Sequence, residues 1–101
     1  MRVAVLGGGV LGACAAYHLV RAGAEVVLLD RAHEGRATSA GAGIVSPWTT
    51  RYEGEALYRI LLGGALAYPT LVASLAEDGE HDLGYARVGT LCAPADPAVL
   101  D

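Results

Sequence analysis

Three glycines stand at the spacing Gly7-x-Gly9-x-x-Gly12, and an acidic residue, Asp30, follows one apolar run later. Together these residue types can hold a dinucleotide. Gly7 allows a tight turn out of a strand. Gly9 has no Cβ, so a pyrophosphate can approach the backbone, and Gly12 lets a helix lie close to the strands. A helix opening at Val10, Leu11 and Gly12 would present unpaired N–H groups and the positive end of its dipole to phosphate. The Asp30 carboxylate can accept hydrogen bonds from the 2′- and 3′-hydroxyls of an adenosine ribose, and it disfavours a 2′-phosphate. Arg31, next in the chain, is counted with this site. The bland alternative for Asp30 is an ordinary strand-end carboxylate.

The flanking sequence supplies the elements this chemistry needs. Arg2–Leu6 reads as a short strand ending in glycines. Val10–Ala22 is rich in helix formers and stops at Gly23. Glu25–Leu29, EVVLL, reads as a strand buried on both faces. The order strand, helix, strand is a right-handed parallel crossover. On the helix, Gly12, Ala16, Leu19 and Gly23 form a smooth stripe about 60° wide. Cys14, Tyr17, His18 and Arg21 lie roughly opposite, which makes His18 a residue of the outer helix face.

Beyond Asp30, residues 31–53 read as loop. Two helical segments are expected, Glu55–Leu62 and about Gly64–Asp78, the second kinked or started near Pro69 and ended by Gly79. Tyr85–Ala93 reads as a strand, and Asp96-Pro97 as the N-cap and first turn of another helix. Two parallel strands have too little to pack against by themselves, so the chain reads as part of a longer protein.

Composition narrows the classes further. Apolar residues make up 53% of the 101 residues, which excludes a disordered chain. The net charge of −4 and the lack of a basic patch argue against nucleic acid as partner. Arg is used without Lys, and Asn and Gln are absent, a bias that suggests a GC-rich bacterial genome. Cys14 and Cys92 stand far apart with no Cys/His cluster, so no metal site is expected. Ile60–Ala76 is uncharged, but its Gly63-Gly64, Tyr68-Pro69, Thr70 and Ser74 suit a buried or half-buried helix better than a membrane span. Leu11-Gly12-Ala13-Cys14 resembles a lipoprotein cleavage box. However, Gly7-Gly8-Gly9 interrupts any signal helix, and cleavage would discard the first strand. The expected location is the cytoplasm, with a peripheral place at the inner membrane left open.

The glycine fingerprint does not separate FAD from NAD. The next segment, ATSAGAGIVSPW, adds information. Its small residues let backbone lie against a large flat ligand. Thr38 and Ser39 carry hydroxyls that could bond phosphate oxygens, and the N–H groups near Gly43 and Ile44 could meet the polar edge of an isoalloxazine ring. A flexible surface loop is the alternative.

With this segment, the sequence resembles the FAD-dependent D-amino acid oxidase superfamily, which includes glycine and sarcosine oxidases and D-amino acid dehydrogenases. Three pieces in order carry the resemblance: VAVLGGGVLGACAAYHLVRAGAEVVLLDR, ATSAGAGIVSPW and HDLGYARVGTL. The resemblance implies an α/β fold: the N-terminal βαβ of a Rossmann-like FAD-binding domain, then two helices and the first strand of a substrate domain. Residues 1–50 would belong to the FAD-binding domain and 51–101 to the helical segment and the start of the substrate domain. The implied reaction is oxidation of the C–N bond of an amino acid or related amine, by hydride transfer to flavin N5. Oxygen and a membrane quinone chain are both open as electron acceptors, and oligomeric state is not specified. Ala40-Gly41-Ala42 stands where sarcosine-oxidase-like members carry a His or Ser–His pair, which argues against covalent flavin there and against sarcosine as substrate.

No residue is assigned to catalysis. Tyr52, Tyr58, Tyr68 and Tyr85 read as packing residues. Trp48 could line a ligand cavity, and Arg87 could meet a substrate carboxylate or simply be solvated. A fragment of an NAD-dependent dehydrogenase and a non-catalytic nucleotide-binding module are the competing readings.

Overall fold

The computed structural model describes residues 1–49, 54–91 and 93. The chain divides into two compact units, Met1–Ile44 and Val45–Asp101.

The first unit is built on β1 (Arg2–Leu6), α1 (Val10–Arg21) and β2 (Glu25–Leu29), followed by the one-turn helix α2 (Ala37–Ala40). β1 and β2 pair in parallel, from Arg2↔Glu25 to Leu6↔Leu29. Each strand opens on a charged residue and continues with valine and other apolar residues, which suits a pleated sheet. β2 is not buried on both faces as its run of apolar residues suggests: Val27, Leu28 and Leu29 are exposed, because among the described residues only β1 and α1 cover it. The ladder runs one step beyond the strands, because the Gly7 N–H donates to the Leu29 carbonyl at 2.8 Å. Gly7 then takes φ +105°, a conformation that glycine adopts without a Cβ penalty.

α1 packs on both strands. Its stripe residues Gly12, Ala16 and Leu19 are half-buried, while His18 and Arg21 are exposed. Cys14 and Tyr17, expected on the outer face, are half-buried as well. The Tyr17 ring gains this cover from its neighbours: His18 stands edge-on at 5.5 Å and the Arg21 guanidinium lies 5.7 Å from its centroid. The helix closes in a Schellman motif. The Gly23 N–H donates to the Val20 carbonyl and the Ala24 N–H to the Leu19 carbonyl, with Gly23 at φ +85°.

The second unit contains a 3₁₀ turn, Pro47–Thr49, which packs against the long helix α3 (Glu55–Glu77). The two helical segments expected from the sequence are one helix, unbroken at Pro69. Proline's fixed φ is compatible with helix. Its cost is the missing N–H and crowding of the preceding turn, about 3 kcal/mol. The good helix formers on both sides propagate through it. α3 ends as α1 does, with the Glu80 N–H donating to the Leu75 carbonyl and Gly79 at φ +99°.

α3 is long and apolar enough to cross a membrane by length and composition alone, with mean hydropathy 1.5. Against the expectation of a buried or half-buried helix, little of it is covered: Ala65 is the one buried residue of α3, and most of its positions are exposed. Tyr58, Leu61, Leu62, Tyr68, Val72 and Leu75 form a half-buried stripe around the buried Ala65, whereas Ile60 and Leu66 face outward.

Tyr85–Leu91 does not form the expected strand. A strand needs a ladder partner, and among the described residues β1 and β2 pair only with each other. Asp96, Pro97 and Cys92 lie outside the described residues, as does Tyr52.

Candidate functional site

The glycine turn joins β1 to α1, and its geometry gives each glycine a physical reason. A Cβ on Gly12 would collide with the carbonyl oxygen of Gly7 and reach 3.4 Å from Val5 Cγ1. Gly12 therefore lets the first turn of α1 fold back over the glycine turn itself as well as over β1. Gly9 is the N-cap of α1, in extended conformation, and has no side chain to cap the helix. That task falls to Thr38 on α2, whose Oγ1 accepts a hydrogen bond from the Val10 N–H at 3.0 Å. A Cβ on Gly9 would stand 3.1 Å from the same Thr38 oxygen.

Asp30 follows β2 directly and closes the other side of the turn. Its Oδ2 accepts the Gly8 N–H at 2.6 Å, and its Oδ1 accepts the Ala32 N–H at 2.6 Å. The Arg36 guanidinium lies 3.6 Å from Oδ1. These contacts hold the carboxyl below the ordinary carboxylate range. The Gly8 amide contributes most and the Ala32 amide next, with partial desolvation opposing them and the charges of Arg36 and His33 adding to them.

The arrangement fits a dinucleotide. The first turn of α1 contains no acidic side chain, and Leu11 is 82% exposed at its start. The N–H groups of that turn have no acceptor within the helix, so they are available to an anion, apart from the one Thr38 takes. Asp30 accepts two backbone bonds, and an ionised carboxylate has about four acceptor sites, so capacity is left for hydroxyl donors.

The remaining expected residues are placed less centrally. Arg31 is exposed beside Asp30. Ser39 lies in α2, where its N–H donates to the Arg36 carbonyl. Gly43 has φ +69° and Ile44 is 80% exposed; neither takes part in the bonds that close the turn. In the second unit, Trp48 is exposed in the 3₁₀ turn, Arg87 is exposed, and Tyr68 stacks on Tyr85 at 5.8 Å.

Two residues of the site escaped the sequence reading. One is Gly8, whose N–H binds Asp30 and whose Cβ would stand 3.1 Å from Asp30 Cβ. The signal was present in the unbroken Gly7-Gly8-Gly9 run. The other is Arg36, for which no local pattern announces an ion pair with Asp30.

The chain is similar to oxidoreductases of known families. It is 44% identical over 97 residues to the "Uncharacterized oxidoreductase YurR" of Bacillus subtilis (strain 168), covering 96% of this chain and 26% of that protein. It is 61% identical over 49 residues to a D-amino acid dehydrogenase of Methylobacterium nodulans, covering 46% of this chain and 12% of that protein. Among solved structures, iminodiacetate oxidase from Chelativorans sp. BNC1 superposes with a TM-score of 0.81 at 47% identity, over 88% of this chain and 24% of that one. The chain thus spans about a quarter of the length of YurR and of iminodiacetate oxidase. Residues 2–100 match the DAO family of FAD dependent oxidoreductases, and with the βαβ unit and its glycine turn in place, the chain belongs to that family.

Proposed function

We propose that this chain holds the adenosine and pyrophosphate parts of FAD in an oxidoreductase acting on the C–N bond of an amino acid or related amine. The observation that carries the reading is the Asp30 carboxylate, fixed at 2.6 Å from the Gly8 amide beside the opening of α1. That position suits the ribose hydroxyls, with the pyrophosphate meeting the first turn of α1. Thr38 and Ser39 would add hydroxyls at the phosphates, and Gly43 and Ile44 would offer N–H groups toward the ring system.

When bound, FAD would supply the two-electron oxidant for the C–N bond, and the resulting imine product would be hydrolysed by water to an oxo acid and ammonia or an amine. The contribution of the chain itself is to bind and orient. The substrate class draws support from relatives named for D-amino acids and for iminodiacetate.

The test is to purify the protein that carries this chain, release its ligand by denaturation and identify it by mass. FAD is expected, together with reduction of the bound flavin by a D-amino acid or an N-carboxymethyl amine under anaerobic conditions. Binding of NAD without flavin would overturn the assignment.

A further inference from the structure

We propose that Arg36 is a positioning residue for this site, joining the carboxylate that meets the ribose to the one-turn helix that carries Thr38. The inference rests on the reading of the glycine turn as the FAD site.

Two separate groups of Arg36 act on two separate parts of the turn. Its guanidinium approaches Asp30 Oδ1 at 3.6 Å, on the oxygen that also accepts the Ala32 N–H. Oδ2 stays with Gly8. A strand-end carboxylate can rotate about its side-chain bonds, and a fixed positive charge on one oxygen biases it to a single orientation. Arg suits this use because it stays charged and keeps spare donors in its planar fork. Meanwhile the Arg36 carbonyl accepts the N–H of Ser39 at 3.0 Å and of Ala40 at 3.2 Å, which forms the single turn of α2. That turn presents Thr38 Oγ1 to the Val10 N–H at 3.0 Å. Arg36 therefore connects β2 to the start of α1 by a route separate from the Gly8–Asp30 bond. Arg31, though adjacent to Asp30 in sequence, makes none of these bonds.

The main-chain bonds survive a change of side chain, so substitution isolates the charge. Arg36→Gln is expected to raise the dissociation constant for FAD about three- to fivefold, the scale of a partly exposed ion pair. Arg36→Lys should restore most of it. The pH profile separates positioning from general structure. The charges facing Asp30 are Arg36 and His33, and the amides facing it are Gly8 and Ala32. Loss of the Arg36 charge should move the acid-side loss of FAD to higher pH. In the Asp30→Asn background, Arg36→Gln should add no further loss, because the side chain acts through Asp30.

Equal FAD affinity and an unchanged pH profile in Arg36→Gln would overturn the role of Arg36 while leaving the FAD site standing. Full additivity with Asp30→Asn would likewise overturn it. Absence of FAD from the unsubstituted protein would overturn both. If Arg36→Gln does not fold, the Arg36→Lys protein answers the question, since its affinity should stay near that of the parent.

Discussion

Gly8 and Asp30 lie 22 residues apart in sequence, and the Gly8 N–H donates to Asp30 Oδ2 at 2.6 Å. The bond fastens the turn after β1 to the residue after β2, so the two strand ends act as one surface. It also gives Asp30 a role before any ligand arrives, because the carboxylate satisfies an amide that the glycine turn would otherwise leave to water.

Asp30→Ala should weaken FAD roughly ten- to hundredfold, the scale of a hydrogen bond to a charged group. Asp30→Asn should fall between it and the parent, since its amide keeps one acceptor. The pH dependence has a definite sign. The Asp30 pKa is lowered in the fold, so the contribution of its ionised form is complete above the ordinary carboxylate range and is lost as pH falls through the depressed value. Isothermal titration across the acid range checks both points. An affinity that rises on acidification would contradict the assignment.

Gly9→Val should abolish FAD retention. The valine would fill the space where the backbone must meet pyrophosphate, and its Cβ would start only 3.1 Å from Thr38 Oγ1. The readout is the absorbance of the purified protein. A yellow, flavin-loaded variant would show that the pyrophosphate does not pass this residue.

Thr38→Val keeps the size of the side chain and removes the acceptor for the Val10 N–H. A stability loss of about 1 kcal/mol is expected, the usual cost of a missing helix cap. Thr38→Ser should recover it. Denaturant midpoints of the three proteins provide the measurement, and an unchanged Thr38→Val midpoint would remove Thr38 from the capping role.

Gly12→Ala places a methyl group against the Gly7 carbonyl, which belongs to backbone and cannot swing away. The expected loss is about 1–3 kcal/mol, the range for overpacking with backbone displacement. A thermal melt of the variant and a test of its flavin content should both register it.

Some of this was legible because the signals are local. Arg2–Leu6 and Glu25–Leu29 are compact apolar runs bounded by glycine or charge, and the structure forms them with those limits. Gly23 and Gly79 end helices for a reason that resides in one residue. Other features depend on partners remote in sequence. Thr38 reads as a phosphate contact, but its bond to Val10 spans 28 residues and no short pattern reveals it. Pro69 reads as a kink or a helix start because its cost is local, while the cooperativity that carries α3 through it is spread over the whole helix. Tyr85–Leu91 has the composition of a strand, yet strand formation is a property of pairs.

The parallel register has a consequence for how this site comes to exist. Leu6 pairs with Leu29, so Gly7 and Asp30 leave the sheet at the same rung. A slip of one residue would bring Leu29 or Arg31 to the position of Asp30, and it would also turn the side chains of β2 to the opposite face. Leucine cannot accept the Gly8 proton, and arginine offers only more donors. The Gly8–Asp30 bond therefore belongs to this register alone: strands paired one residue out of step would leave the glycine turn without its carboxylate acceptor.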